Sequence, residues 1–183
     1  MPWKTAAAIR RRSPHIRRGP DSRRLHGASA SPTSSRMDLS PLAGVDRTLV
    51  LLAGGVCGLE GEGEPLELRA TFEPISFSGD RSLTCSLVAG PVRDFNLMVR
   101  RGTARGDVVV RREGGEAIAR AGTYVCYAAT GASECLVAGH PPIALAESHT
   151  LVVTSDDGSA PSGLSVNPLE AGSVALVAVI RPA

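Results

Sequence analysis

The sequence predicts an all-β chain of short strands, and three observations carry that expectation. Glycine and proline are frequent, 20 and 13 of 183 residues, which supplies turns at close intervals. Aromatic residues make up only 3% of the chain, so a core must be assembled from Val, Leu, Ile and Ala. Short apolar segments alternate with turn signals about every 8–12 residues, the rhythm of a β-sandwich or barrel. A chain of 183 residues forms one domain, or two small lobes that share a core. It has no apolar run long enough to cross a bilayer as a helix.

The elements follow in order. Thr48-Leu49-Val50-Leu51-Leu52 is a continuous apolar run, the pattern of a strand buried on both faces, and it stops at Ala53-Gly54-Gly55. Residues 66–70 alternate apolar and polar; residues 74–80 and 87–90 follow as strands. Residues 94–101 form the strand on which the chain is organised. Phe95, Leu97 and Val99 share one face and call for a core, whereas Asp94, Asn96, Met98 and Arg100 share the other. Gly106-Asp107 reads as a turn before a strand at 108–112, and Gly114-Gly115 as the next turn. Further strands are expected at 124–128, 134–138, 149–154, 164–166 and 173–180, the last a central core strand, with a short helix at 115–122.

Little in the chain resembles catalytic machinery. The four cysteines, Cys57, Cys85, Cys126 and Cys135, contain no C-x-x-C pair and read as small buried hydrophobes of a reducing cytoplasm. No P-loop and no G-x-S-x-G occurs. What remains is a polar cluster: Arg47 at the head of one strand, and Asp94, Asn96 and Arg100 on one face of another. A planar guanidinium suits a carboxylate, and Asn96 offers both a donor and an acceptor. Together they fit a small carboxylic acid bearing an amide. An internal Arg47–Asp94 pair tying two strands together is the competing structural reading. An isomerase or hydrolase with Asp94 as base would need a partner acid in reach, and the sequence shows no convincing one.

Charge is unevenly distributed. Residues 1–40 carry nine Lys/Arg against two Asp/Glu, and residues 41–183 carry eleven against sixteen. The body is thus slightly acidic, which argues against nucleic-acid binding by the folded domain. The first 40 residues have no strand or helix period and are expected to be disordered, as a basic arm or an Arg-rich transit peptide would be.

A third explanation of that segment comes from a resemblance. The strings P-L-A-G-V-D-R-T-L-V-L-L, F-S-G-D and V-R-D-F-N-L-M-V-R-R-G, all within residues 41–102, closely resemble the HutD/Ves family of cupin-like proteins; residues 103–183 match it in strand rhythm. That family opens on P-W-K-N-G-G-G, of which only Pro2, Trp3 and Lys4 are present. Codons for residues 5–12 and 26–40 can be chosen so that one neighbouring frame restores the family's text in both places. A one-base frame error after Lys4, compensated near Ser40, therefore explains both the break and the basic excess, and the nucleotide sequence decides it.

The resemblance implies a bicupin double barrel or jelly roll over residues 41–183. It implies metal-independent binding of a small anion such as a formylglutamate-like carboxylate, in a cytoplasmic bacterial protein linked to histidine utilisation or its regulation. A stress-induced role through a protein partner, as in the Ves branch, is the alternative. Metal-dependent cupins use an H-x-H pair, an acid and a later His; the body has only His140 and His149, so no metal and no other cofactor is expected. The expected ligand-binding residues are Arg47, Asp94, Asn96, Met98 and Arg100, with Trp3 and Lys4 from the family's first loop. No membrane partner is expected, and a homodimer is left open.

Overall fold

The computed structural model describes residues 6–9, 36–55, 57–87, 92–115, 122–154 and 163–183, with backbone alone at 6–9, 36, 37, 57 and 87. Among these residues there are strands and no helix. In chain order the strands are β1 (Ala6–Ile9), β2 (Arg36–Leu39), β3 (Val45–Ala53), β4 (Cys57–Gly61), β5 (Leu66–Leu68), β6 (Pro74–Ser78), β7 (Leu83–Leu87), β8 (Arg93–Arg100), β9 (Ala104–Arg111), β10 (Thr123–Thr130), β11 (Ser133–Leu136), β12 (Ile143–Leu145), β13 (Thr150–Thr154), β14 (Ser165–Pro168) and β15 (Val174–Pro182). They form four sheets, with strand orders β2-β7-β4-β5 (sheet 1), β1-β8-β3-β6 (sheet 2), β13-β10-β15-β9 (sheet 3) and β12-β11-β14 (sheet 4). Every pairing is antiparallel.

The layers stack in the order 1-2-3-4, because successive side chains of a strand face opposite ways. Leu49 and Leu51 of β3 point into the core shared with Leu59, Leu68, Leu83 and Cys85 of sheet 1. Val50 and Leu52 point the other way, and with Phe95, Leu97 and Val99 meet Val125, Tyr127, Leu176, Ala178 and Ile180 of sheet 3. The far side of sheet 3, through Tyr124, Cys126, Val177 and Val179, packs on Cys135, Leu145 and Val166 of sheet 4. Strands β3, β10 and β15 are therefore buried on both faces, as the unbroken apolar runs at 48–52 and 173–180 anticipate. No helix among the described residues is long and apolar enough to cross a membrane.

Several expectations need correction. Gly106 and Asp107 do not form a turn; they lie within β9, and the chain reverses earlier, at Arg101–Thr103, where Gly102 takes a φ of 77°. Gly106 is there for space: a Cβ at this position would lie 2.5 Å from Val99 Cγ2 and 2.9 Å from Leu97 Cδ2. Glycine thus lets sheet 3 close on sheet 2, a packing demand that a turn residue imitates in sequence. Strands β4 and β12 are not anticipated, and β7 ends where the expected strand at 87–90 begins. The four cysteines are not all free: Cys126 and Cys135 are, whereas Cys85 is disulfide-bonded.

The segment 1–40 was expected to be irregular. Residues 1–5 and 10–35 lie outside those described, as does most of the helix expected at 115–122. At 6–9 and 36–39 the backbone is strand, running beside β8 and β7 respectively. Those are the positions where β8 and β7 would otherwise present unpaired N–H and C=O groups.

Candidate functional site

The register of sheet 2 assembles the polar residues. Arg47 of β3 lies opposite Met98 of β8 on one side and Phe77 of β6 on the other. The next row holds Ile75, Leu49 and Asn96, and Leu51 stands opposite Asp94. All of these belong to the face turned toward sheet 1, the face that carries Leu49 and Leu51 into its core. Asp94, Asn96, Met98 and Arg47 are thus on the inside of one sandwich.

Their environments differ. Arg47 is only 7% exposed, and its guanidinium carbon sits 5.3 Å from the centroid of the Phe77 ring, a cation–π contact. Asp94, Asn96 and Met98 are half-buried. The Asn96 Oδ1 is buried and accepts no hydrogen bond. Arg100 lies at the exposed end of β8, opposite Val45, so the face runs from buried Arg47 outward to solvent. Trp3 and Lys4 lie outside the described residues. Among the described residues, no group of three His, Cys, Asp or Glu is placed to hold a metal ion.

Beside this face lies a second network that sequence reasoning did not assign. Arg101 Nη2 donates to Asp46 Oδ1 at 2.8 Å and to Ser78 Oγ at 2.9 Å, while its Nη1 donates to Asp80 Oδ2 at 2.9 Å. Ser78 Oγ donates to Asp80 Oδ2 at 2.8 Å, and the Gly44 N–H donates to Asp80 Oδ1 at 2.7 Å. The backbone closes the same knot, through Arg101 N–H to Gly44 O at 2.8 Å and Gly79 N–H to Val45 O at 2.7 Å. The strings G-V-D-R, F-S-G-D and R-R-G therefore meet in space: Asp46, Asp80 and Arg101 clasp three strand ends together and so fix where Arg47 enters β3. The signal was in the sequence, since these are the strings that stood out, but nothing in their spacing says that they touch.

The Gly44 N–H, then the Arg101 guanidinium and the Ser78 hydroxyl, lower the Asp80 carboxyl from its ordinary 3.8 to about 2. A carboxyl with a folded pKa below its unfolded one contributes stability above the unfolded value and loses it as pH falls through the folded one. Stability should therefore decline between pH 4 and pH 2. In Asp80→Asn that part of the acid limb should flatten, as read by thermal melts across this range. The same Asp46 and Asp80 contacts raise Arg101.

Comparison with known proteins places the chain. The HutD family model matches residues 20–171, beginning inside the basic segment. An uncharacterized 21.2 kDa protein in the hutC 3'region of Pseudomonas putida is 36% identical over 59 residues. That stretch is 32% of this chain and 31% of the relative, so the alignment spans about a third of the curated protein. A conserved protein of unknown function from Pseudomonas aeruginosa PAO1 superposes with a TM-score of 0.70 at 22% identity, covering 81% of this chain and 78% of the other. HutD from Pseudomonas fluorescens SBW25 superposes with a TM-score of 0.65, also at 22% identity, over 81% and 74%. YhaK from Escherichia coli reaches 0.54 at 11% identity, over 80% and 83%. These structures share the all-β fold. The family match extends over most of the sequence, and the chain belongs to the HutD family.

Proposed function

We propose that this chain binds a small carboxylate carrying an amide-like N–H group, of the formylglutamate type, on the inner face of sheet 2, without a metal. We place that binding in cytoplasmic histidine utilisation or its regulation. Family membership supports the pathway, and the Pseudomonas putida relative takes its description from a hut region. The observation that carries the chemistry is the unpartnered Asn96 Oδ1, buried on the same face as the Arg47 guanidinium. A buried acceptor without a donor is costly, about 1–3 kcal/mol, and a ligand N–H removes that cost. The guanidinium supplies the counter-charge for a carboxylate, and Asp94 orients or accepts from the ligand's polar end. We further infer that sheets 1 and 2 and sheets 3 and 4 each form a cupin-like barrel, sharing the core between sheets 2 and 3, as a bicupin does. The separate clusters on the two faces of sheets 2 and 3 support that reading.

The test uses thermal shift with N-formylglutamate. Wild type should be stabilised. Asn96→Leu should melt higher than wild type without ligand, because it deletes an unsatisfied acceptor, yet should lose the ligand shift. Arg47→Lys, which keeps the charge but not the fork, should weaken binding at least about tenfold, or ~1.4 kcal/mol. An Asn96→Leu variant that still responds like wild type would sink the assignment, and turnover of the acid would favour an enzyme.

A further inference from the structure

The opposite face of the same strand also meets unanswered polar groups, and these are donors. Arg93 opens β8 and, two residues before Phe95, shares its face toward sheet 3. Its Nη2 crosses to sheet 3 and donates to Ala129 O at 3.2 Å. Its Nε–H is buried and has no acceptor. Two residues before Ala129, on the same face of β10, stands Tyr127, fully buried and stacked on Phe95 with ring centroids 6.1 Å apart. The Tyr127 hydroxyl also has no partner.

Two orphaned polar groups in adjacent rows of one interface, Arg93 facing Ala129 and Tyr127 facing Phe95, differ from two scattered defects. Each would cost about 1–3 kcal/mol if left unanswered, and folded proteins rarely leave them so. The Arg93 Nε–H can only donate, and the phenol donates readily, so the missing group is an acceptor. The charge that these two groups carry is positive, on Arg93; Arg112, just past β9, has its guanidinium carbon 5.5 Å from the Phe72 ring centroid. Phe72 packs against this same core and holds a φ of 62°, a conformation that costs a non-glycine residue free energy. The Phe72 N–H donates to Leu51 O at 2.8 Å, and Leu51 stands opposite Asp94, so strained backbone lies beside the start of β8.

We propose that Arg93 and Tyr127 form a second binding site, for a small oxyanion of the carboxylate class, separate from the Arg47–Asn96 face and on the other side of sheet 2. The ligand accepts from the Arg93 Nε–H and the Tyr127 hydroxyl and neutralises the half-buried guanidinium. Because β8 walls both sites, an oxyanion here stiffens the strand that presents Asp94, Asn96 and Met98 to the first.

The probe is sodium acetate against sodium chloride at equal ionic strength, followed by amide chemical shifts and by melting temperature. Wild type should show acetate-dependent shifts centred on the Arg93, Tyr127 and Ala129 amides and a higher melting temperature. Tyr127→Phe keeps the ring stack and should fold; it should lose at least tenfold in acetate affinity. Arg93→Gln, which removes the charge, should lose the response altogether. Asn96→Leu, on the other face, should retain it, so failure of the first site and failure of this one are separable. The proposal is overturned if acetate moves no amide in these rows, or if Tyr127→Phe responds like wild type.

Discussion

Phe95→Ala is expected to lower the unfolding free energy by about 3–5 kcal/mol, the cost typical of removing a large aromatic from a packed core. Phe95 is fully buried at the centre of the cluster that joins sheets 2 and 3, and its ring stacks on Tyr127. In a chain with only three phenylalanines and two tyrosines, few other side chains can fill that volume. Apart from Tyr127 and Phe72, the cluster is Val, Leu, Ile and Ala, whose short side chains cannot collapse far into the space. The midpoint of urea unfolding measures the loss. Phe95→Leu, which keeps most of the volume, should lose much less. A drop below about 1 kcal/mol for the alanine variant would mean that the two halves are not held together by this core.

Gly79→Ala is expected to cost about 1–3 kcal/mol. Gly79 is the glycine of F-S-G-D, and a Cβ there would lie 2.7 Å from Val45 O and 2.9 Å from Leu42 O. Both neighbours are backbone, held by Gly79 N–H to Val45 O and Leu42 N–H to Gly79 O, so neither can turn aside. The added methyl must push two strand ends apart and with them the Asp46–Arg101–Asp80 clasp. Gly58→Ala is the control: nothing stands within 4 Å of the Cβ position of Gly58, which lies in β4. Thermal unfolding should separate the two variants clearly. Gly79→Ala should also weaken the pH 4 to 2 dependence assigned to Asp80, because the Gly44 N–H that depresses it would shift away.

The sequence was most legible where one local pattern had one meaning. Thr48–Leu52 and Val174–Ile180 have no polar face, and a strand with no polar face must be covered on both sides; the two runs became central strands. Phe95, Leu97 and Val99 at every second position could not avoid sharing a core. Gly106-Asp107 was misread because a turn and a tight sheet contact select glycine for different reasons that leave the same letter. Strand β4 carries too few apolar residues to announce itself and β12 is only three residues long; both are held by their pairing partners.

The candidate site divides along the same line. Alternation along one strand was enough to set Asp94, Asn96, Met98 and Arg100 on one face. The sequence by itself therefore determined the all-β class, the doubly buried strands and the kinship that its motifs carry. Only the tertiary structure decided which strands are neighbours. Register among β6, β3 and β8 set Arg47 against Met98, buried the Asn96 Oδ1 while leaving Arg100 exposed, and brought Asp46, Asp80 and Arg101 into one clasp. Packing of sheet 2 on sheet 3 brought Arg93 to Ala129 and Phe95 onto Tyr127. The physical reason is that side-chain alternation is a property of one strand, whereas register and sheet stacking arise from hydrogen bonds and packing between residues far apart in the chain.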